Sequence, residues 1–75
     1  MAQVSEVPDR LQPTDERILR LLDAEGVQVR LDIERELSLP GLLTARRCRA
    51  LAERGLICNS NWCCYEITER GRQSL

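Results

Sequence analysis

The sequence predicts a small α+β domain in which three helices precede a β-hairpin and a short C-terminal helix. Apolar residues recur with a helical period in the first part of the chain. Proline and glycine bracket a later helical segment, from Pro40 to Gly55. Two β-rich runs around a polar turn then follow at residues 56–67. At 75 residues, the chain is long enough for one hydrophobic core.

The first helix is predicted at residues 13–25. Pro13 suits the first helical position, where a missing N–H group costs nothing. Asp15 and Glu16 place negative charge at the positive end of the helix dipole. The apolar residues then follow a period of 3.6 until Gly26, which we expect to end the helix.

Three shorter elements follow this helix. Residues 27–31 alternate between apolar and polar side chains, the pattern of a half-buried strand. Residues 32–37 predict a short second helix. A third helix is expected over residues 40–54, since Pro40 suits a helix start and Gly55 a helix end.

The last part of the chain predicts a hairpin over residues 56–67. With Ser60 and Asn61 as the turn, Cys58 lies opposite Cys63 and Leu56 lies opposite Tyr65. One face of the hairpin then carries Leu56, Cys58, Cys63, Tyr65 and Ile67. The other face carries Ile57, Cys64 and Glu66.

Two additions complete the predicted domain. The strand at residues 27–31 is expected to join the hairpin as a third strand. Thr68 is expected to cap a final helical turn that runs through Leu75. Residues 1–12 hold only scattered apolar side chains, so we expect a flexible N-terminal arm and a domain at residues 13–75.

Composition restricts the function. No apolar run approaches the roughly 20 residues that cross a bilayer, and the N-terminus resembles neither a secretory signal nor a transit peptide. We therefore expect a cytoplasmic protein without a membrane partner. The chain has no histidine, no phosphate-cradling glycine loop and no recognisable pair of catalytic carboxylates, so we expect neither an enzyme nor a cofactor.

The net charge of −1 hides a gradient along the chain. Residues 1–45 contain five arginines and nine acidic residues, a net charge of −4. Residues 46–75 contain six arginines and three acidic residues, a net charge of +3. Such asymmetry indicates a cationic surface in the second part of the chain.

The order of elements and three segments carry a resemblance to a known family. The segments are ILRLLDAEG, LLTARRCRALAERGLI and YEITERGRQSL, and the resemblance covers residues 13–75. The chain resembles winged helix-turn-helix regulators, notably the phage-repressor-like domains of halophilic archaea and their viruses and the wider MarR-like and ArsR-like group. This resemblance implies DNA binding and transcriptional control, with the third helix in the major groove and the hairpin as the wing.

A helical wheel divides the third helix into two faces. The inner face carries Thr44, Cys48 and Leu51, with Gly55 beyond them, and the outer face carries Leu42, Arg46, Arg49 and Glu53. Arg46 and Arg49 are the leading candidates for contacts with phosphates or a guanine edge. The alternative is a solvated face on which Arg49 pairs with Glu53.

Other candidate DNA contacts are weaker. Leu42 suits a thymine methyl group or a partner protein. Arg47, on the flank of the helix, and Arg70, beside the wing, suit phosphates, although both have ordinary structural explanations. In the wing, Asn59, Ser60 and Asn61 offer two amides and a hydroxyl to phosphate oxygens.

The four cysteines allow three hypotheses. Cys58 and Cys63 are candidates for a disulfide, and together with Cys48 and Cys64 for a thiolate metal site. Their spacing lacks the paired C-x2-C motifs of structural zinc. We therefore expect no metal and favour reduced thiols packed as small hydrophobic side chains.

The sequence as a whole predicts a DNA-binding regulator, a repressor that occupies its operator as a homodimer on double-stranded DNA. The alternative is a winged-helix module that binds another protein through Leu42, Trp62 and the hairpin. The negative net charge and the apolar start of the third helix favour this alternative, whereas the cluster of Arg46, Arg47 and Arg49 favours DNA.

Overall fold

The computed structural model describes residues 11–61 and 64–75. It confirms an α+β chain, with four helices and a small antiparallel sheet of three strands in the described ranges. The elements in chain order are α1 (Pro13–Glu25), β1 (Gln28–Val29), α2 (Arg30–Leu37), α3 (Gly41–Glu53), β2 (Ile57–Asn61), β3 (Cys64–Ile67) and α4 (Glu69–Gln73). This layout is compatible with a winged-helix arrangement. No helix in the described ranges is long and apolar enough to span a bilayer.

Helix α1 has the predicted bounds. Pro13 occupies its first turn, and Gly26 ends it with a φ of 84°, a conformation that favours glycine. Leu11 packs against the core, and the Gln12 N–H donates to Asp15 Oδ2 at 3.1 Å. Residues 11 and 12 of the predicted arm therefore contact the helical domain, and residues 1–10 lie outside the described ranges.

The second and third helices are joined by a short turn around Ser38. Helix α2 begins at Arg30, two residues earlier than predicted, because only Gln28 and Val29 of the predicted strand find partners on β3. Ser38 turns the chain in the left-handed region, with a φ of 54°. Helix α3 begins at Gly41 rather than Pro40, which stays extended as the residue before the helix.

The sheet confirms the third strand and corrects the hairpin register. The strand order is β1-β3-β2, with β1 antiparallel to β3. Ile57 pairs with Ile67 and Cys58 with Glu66, so the predicted pairings of Cys58 with Cys63 and of Leu56 with Tyr65 are wrong.

This register reverses the predicted faces of β2. Ile57 is 2% exposed and Ile67 is 5% exposed, whereas Cys58 lies on the solvent side. An odd shift in register moves every side chain of a strand to the other face, and the observed register buries two isoleucines instead of a thiol. Ser60 and Asn61 belong to β2 instead of forming the turn, and residues 62 and 63 between the strands lie outside the described ranges.

The core lies where α1, α2 and α3 meet the base of the hairpin. Its buried hydrophobic residues are Ile18, Leu19, Leu22, Ile33, Cys48, Leu51, Leu56, Ile57 and Ile67. The predicted inner face of α3 is confirmed, because Thr44, Cys48 and Leu51 are all fully buried. The Thr44 hydroxyl is satisfied by donating to the Pro40 carbonyl at 2.9 Å.

Two small residues, Thr68 and Gly71, hold helix α4 against Gly55 and Leu56, which follow α3. The Thr68 Oγ1 accepts from the Gly71 N–H at 3.0 Å, which confirms the predicted cap, and it lies 2.7 Å from the Gly55 carbonyl oxygen, to which it donates. Gly71 is buried directly against the Leu56 carbonyl. A Cβ atom at position 71 would overlap that carbonyl and lie 2.8 Å from Cγ1 of Ile67.

Replacement of Gly71 by alanine is expected to lower the free energy of unfolding by about 3 kcal/mol, because a methyl group there forces backbone away from backbone. Gly41→Ala is the matched control. Its Cβ would meet only the Glu34 carboxylate, at 3.4 Å, so the change should stay within about 1 kcal/mol. Urea denaturation of both variants measures the difference, and equal effects would contradict the packing at Gly71.

Candidate nucleic-acid interface

The outer face of α3 is a stripe of four residues that points away from the core. We call Leu42, Arg46, Arg49 and Glu53 the α3 stripe. Leu42 is 68% exposed, and the side chains of Arg49 and Glu53 are 82% and 68% exposed. Arg46 is exposed as well. The predicted division of α3 into an inner and an outer face is thus confirmed.

The two arginines of the α3 stripe differ in their surroundings. Arg46 has no ion pair or hydrogen-bond partner in the described part of the chain. The Arg49 Nε lies 3.4 Å from Glu53 Oε2, the pair foreseen as the alternative interpretation. An exposed pair of this kind contributes only about 0.3–0.5 kcal/mol, so Arg49 can exchange Glu53 for another anion at little cost.

Arg47 points toward α1. Its Nε and Nη2 donate to Oδ1 and Oδ2 of Asp15 on α1, at 2.7 and 2.9 Å. The Asp15 side chain is fully buried, and that of Arg47 is 21% exposed. The guanidinium that was predicted to contact a phosphate is therefore engaged by Asp15. The guanidinium is bound to a buried carboxylate that needs its charge neutralised.

The Asp15–Arg47 pair was not foreseen. The hydrogen bond with Asp15 raises the pKa of Arg47 above its ordinary value, against the opposing effect of burial. Asp15 and Arg47 are more than thirty positions apart in the sequence, and no local sequence pattern connects them. Asp15 was interpreted only as a favourable charge for the helix dipole.

The start of α3 carries a second unforeseen feature. The carboxylate of Glu34 on α2 lies beside Gly41, close enough that both its oxygens would be 3.4 Å from a Cβ there. The Arg30 Nε lies 3.2 Å from Glu34 Oε2, so the pair is neutral overall. A carboxylate beside the first turn favours the dipole of α3 and occupies the place where an anion would otherwise approach. The sequence could have predicted this ion pair, because Arg30 and Glu34 are four residues apart on one helix.

The remaining predicted contacts lie at the hairpin and at α4. Asn59 and Ser60 are exposed on β2, which ends at Asn61. Arg70 is exposed on α4 and lies by the C-terminal end of α3. There it lines an open pocket of about 390 Å³ together with Glu53, Arg54, Leu56 and Ser74. Trp62, expected at a protein contact, lies outside the described residues.

The cysteines occupy three different environments. Cys48 is buried, Cys58 is exposed and Cys64 is half-buried, and no disulfide joins any two of these three residues. Among the described residues, no three His, Cys, Asp or Glu side chains are placed to hold a metal ion. The prediction of a thiol packed as a small hydrophobic side chain is confirmed for Cys48, whereas Cys58 faces solvent.

Burial changes the acidity of the two groups beneath the sheet. Desolvation raises the pKa of Cys48 from 9.0 to about 11. Desolvation also raises the pKa of Tyr65, which packs against the core. Cys48 therefore stays protonated at neutral pH and is a poor nucleophile.

No protein family, curated protein or solved structure matches this chain.

Substitution of Arg47 by methionine is expected to lower the free energy of unfolding by about 3 kcal/mol or more, because the Asp15 carboxylate stays buried without its partner. Arg49→Met is the matched control. It breaks an exposed pair on the same helix, and its cost should stay within about 0.5 kcal/mol. Urea denaturation compares the two variants. Similar losses of unfolding free energy would show that the buried Asp15–Arg47 pair stabilises the fold no more than an exposed pair does.

Alkaline pH should destabilise the fold through Cys48. The unfolded thiol loses its proton near pH 9 and the folded thiol near pH 11. The folded state therefore binds more protons in this window, and the free energy of unfolding falls by about 2–3 kcal/mol as pH rises from 9 to 11.

In the variant Cys48→Ala, the free energy of unfolding should fall less steeply with pH. The decline that remains is assigned to Tyr65, whose pKa is also raised by burial. Cys58→Ala, which removes an exposed thiol, should retain the full decline. Denaturation midpoints measured across the pH range test this, and a slope that is the same in both variants would contradict it.

Proposed function

We propose that this protein binds double-stranded DNA through the α3 stripe and acts as a transcriptional repressor by occupying its operator. The observation that carries the proposal is the separation of α3 into a fully buried face and an exposed face with two arginines. Binding, rather than catalysis, is the proposed activity.

The dimensions of the α3 stripe suit a major groove. Leu42 and Arg49 are separated by about 10 Å along the helix axis, the length of about three base pairs. A helix fits the groove, which is about 12 Å wide. In this position Arg46 is the residue to contact a guanine edge, since its guanidinium offers two parallel donors and has no partner within the described chain.

Leu42 and Arg49 support this contact from either side. Leu42 lies one turn before Arg46 and presents apolar surface suited to a thymine methyl group. Arg49 is suited to a phosphate, for which it gives up a weak pair with Glu53. Arg47 takes no part, because Asp15 holds it beneath the helix.

The hairpin and α4 extend the proposed interface. Asn59 and Ser60 offer polar groups from the hairpin that serves as the wing, and Arg70 adds a cation near the end of α3. These residues belong to the second part of the chain, which carries a net charge of +3. The first part of the chain, residues 1–45, carries a net charge of −4 and repels phosphates.

A protein-interaction module is the second candidate function. Leu42 is 68% exposed, Leu31 57% and Val27 48%, and the net charge of the chain is negative. Exposed apolar residues at these positions suit a protein partner better than a nucleic acid.

Fluorescence anisotropy of a labelled random duplex tests the proposal. Binding should weaken with salt, on a log-log slope that reports several released counterions. Arg46→Ala and Arg49→Ala should each weaken binding about tenfold, while thermal stability stays nearly unchanged because both side chains are exposed.

Arg20→Ala is the matched control. Arg20 is an exposed arginine of α1 whose nearest acidic partner, Glu16, is 4.0 Å away, so the variant loses the same charge from another surface. An equal loss of affinity in Arg20→Ala would show that the losses in Arg46→Ala and Arg49→Ala come from the change in net charge and not from contacts of the α3 stripe. Absence of binding at low salt at about 100 μM protein, where non-specific binders normally register, would favour the protein-interaction module.

A further inference from the structure

Strand β2 forms an edge of the sheet. The strand order β1-β3-β2 leaves one side of β2 without a neighbouring strand. In the described part of the chain, no backbone group outside the sheet bonds to residues 57–61. We propose that this edge pairs with β2 of a second copy of the chain, antiparallel, about a two-fold axis that passes between the two Cys58 residues.

The hydrogen bonds at the base of the hairpin reveal which groups face outward. The Thr68 N–H donates to the Leu56 carbonyl at 3.1 Å, and these residues lie one step beyond the pair Ile57 and Ile67. Opposite residues in an antiparallel ladder alternate between bonded and non-bonded pairs. Cys58 therefore bonds to β3, whereas the N–H and C=O groups of Ile57 and Asn59 point to the open edge.

The open edge lacks charged side chains and proline, and its first three residues are regular. Natural edge strands are blunted by charged side chains, proline or an irregular backbone. Strand β2 has no charged residue and no proline, and Cys58, Asn59 and Ser60 are exposed. Its pairing with β3 is regular from Ile57 to Asn59 and becomes irregular only between Asn59 and Asn61.

A second copy fits this edge because the edge is complementary to itself. With the axis at Cys58, Ile57 of each copy lies opposite Asn59 of the other, and four backbone hydrogen bonds form. An axis at Asn59 would require the outward groups of Asn61, beyond the irregular step. The absence of charge removes repulsion between identical strands, and two sheets of three strands become one sheet of six.

The proposed register brings two thiols together. The Cys58 residues form a non-bonded pair, for which the Cα atoms of antiparallel strands lie about 4.5 Å apart. This separation lies within the range that a disulfide spans. Because the Cys58 thiol is exposed, its reaction reports the register directly. The pairing uses the backbone of Asn59, whose side chain is also proposed to contact DNA, and it is tested in the absence of DNA.

Oxidation with diamide tests the register. Two thiols lose two protons and two electrons to diamide, which becomes the hydrazine, and one sulfur–sulfur bond forms between the chains. Non-reducing electrophoresis should show a band at twice the chain mass of 8.6 kDa. Cys58→Ser should abolish this band, and Cys64→Ser should retain it. A band that persists in Cys58→Ser, or no band in the unaltered protein, would overturn the register.

Sedimentation equilibrium tests the pairing without oxidation. The reduced protein should approach twice its chain mass as concentration rises, and so should Cys58→Ser. Asn59→Pro should stay monomeric, because proline removes an N–H that faces the open edge. The same N–H has no partner among residues 11–61 and 64–75, so the fold should tolerate the change. Circular dichroism checks that this variant is folded, and association of folded Asn59→Pro or a monomeric unaltered protein would refute the pairing.

Discussion

The fold depends on one buried ion pair, between Asp15 of α1 and Arg47 of α3. The Asp15 carboxylate is fully buried, so it requires both the two hydrogen bonds from Arg47 and the N–H of Gln12 at the start of α1. The pair acts together with the buried face formed by Thr44, Cys48 and Leu51, and both fix the same rotation of α3 about its own axis. With Arg47 toward α1 and Cys48 in the core, Arg46 and Arg49 face solvent. The exposed α3 stripe therefore follows from the buried contacts of the same helix.

Arginines of the same helix thus acquire different roles from their surroundings. Arg47 neutralises a buried carboxylate, Arg49 forms a weak surface pair, and Arg46 has no partner in the described chain. The difference matters for the proposed function, since only exposed guanidinium groups can exchange their partners for phosphates or bases without leaving a buried charge. The neutral Arg30–Glu34 pair beside Gly41 adds a further restriction, because it leaves the middle of α3 as the cationic part of that helix.

The sheet determines the chemistry of the thiols and the character of its own edge. Pairing of Ile57 with Ile67 puts Cys58 on the solvent side, while Cys48 on α3 is enclosed by the core. The same register orients the backbone groups of Ile57 and Asn59 toward the open side of β2. The register that buries two isoleucines therefore determines which thiol is accessible. It also determines which backbone groups remain available to a second strand.

The sequence by itself determined the elements whose signals are local. The period of apolar residues and Pro13 placed α1, the Pro40 and Gly55 boundaries placed α3 to within a residue, and Thr68 predicted the cap of α4. The helical wheel also separated the buried Cys48 from the exposed Arg46. Tertiary structure alone decided the partner of Arg47 and the register of Cys58. Asp15 meets Arg47 across more than thirty residues, and the hairpin register depends on which side chains the helices can cover. Neither is expressed in local sequence, because both depend on how separate elements pack.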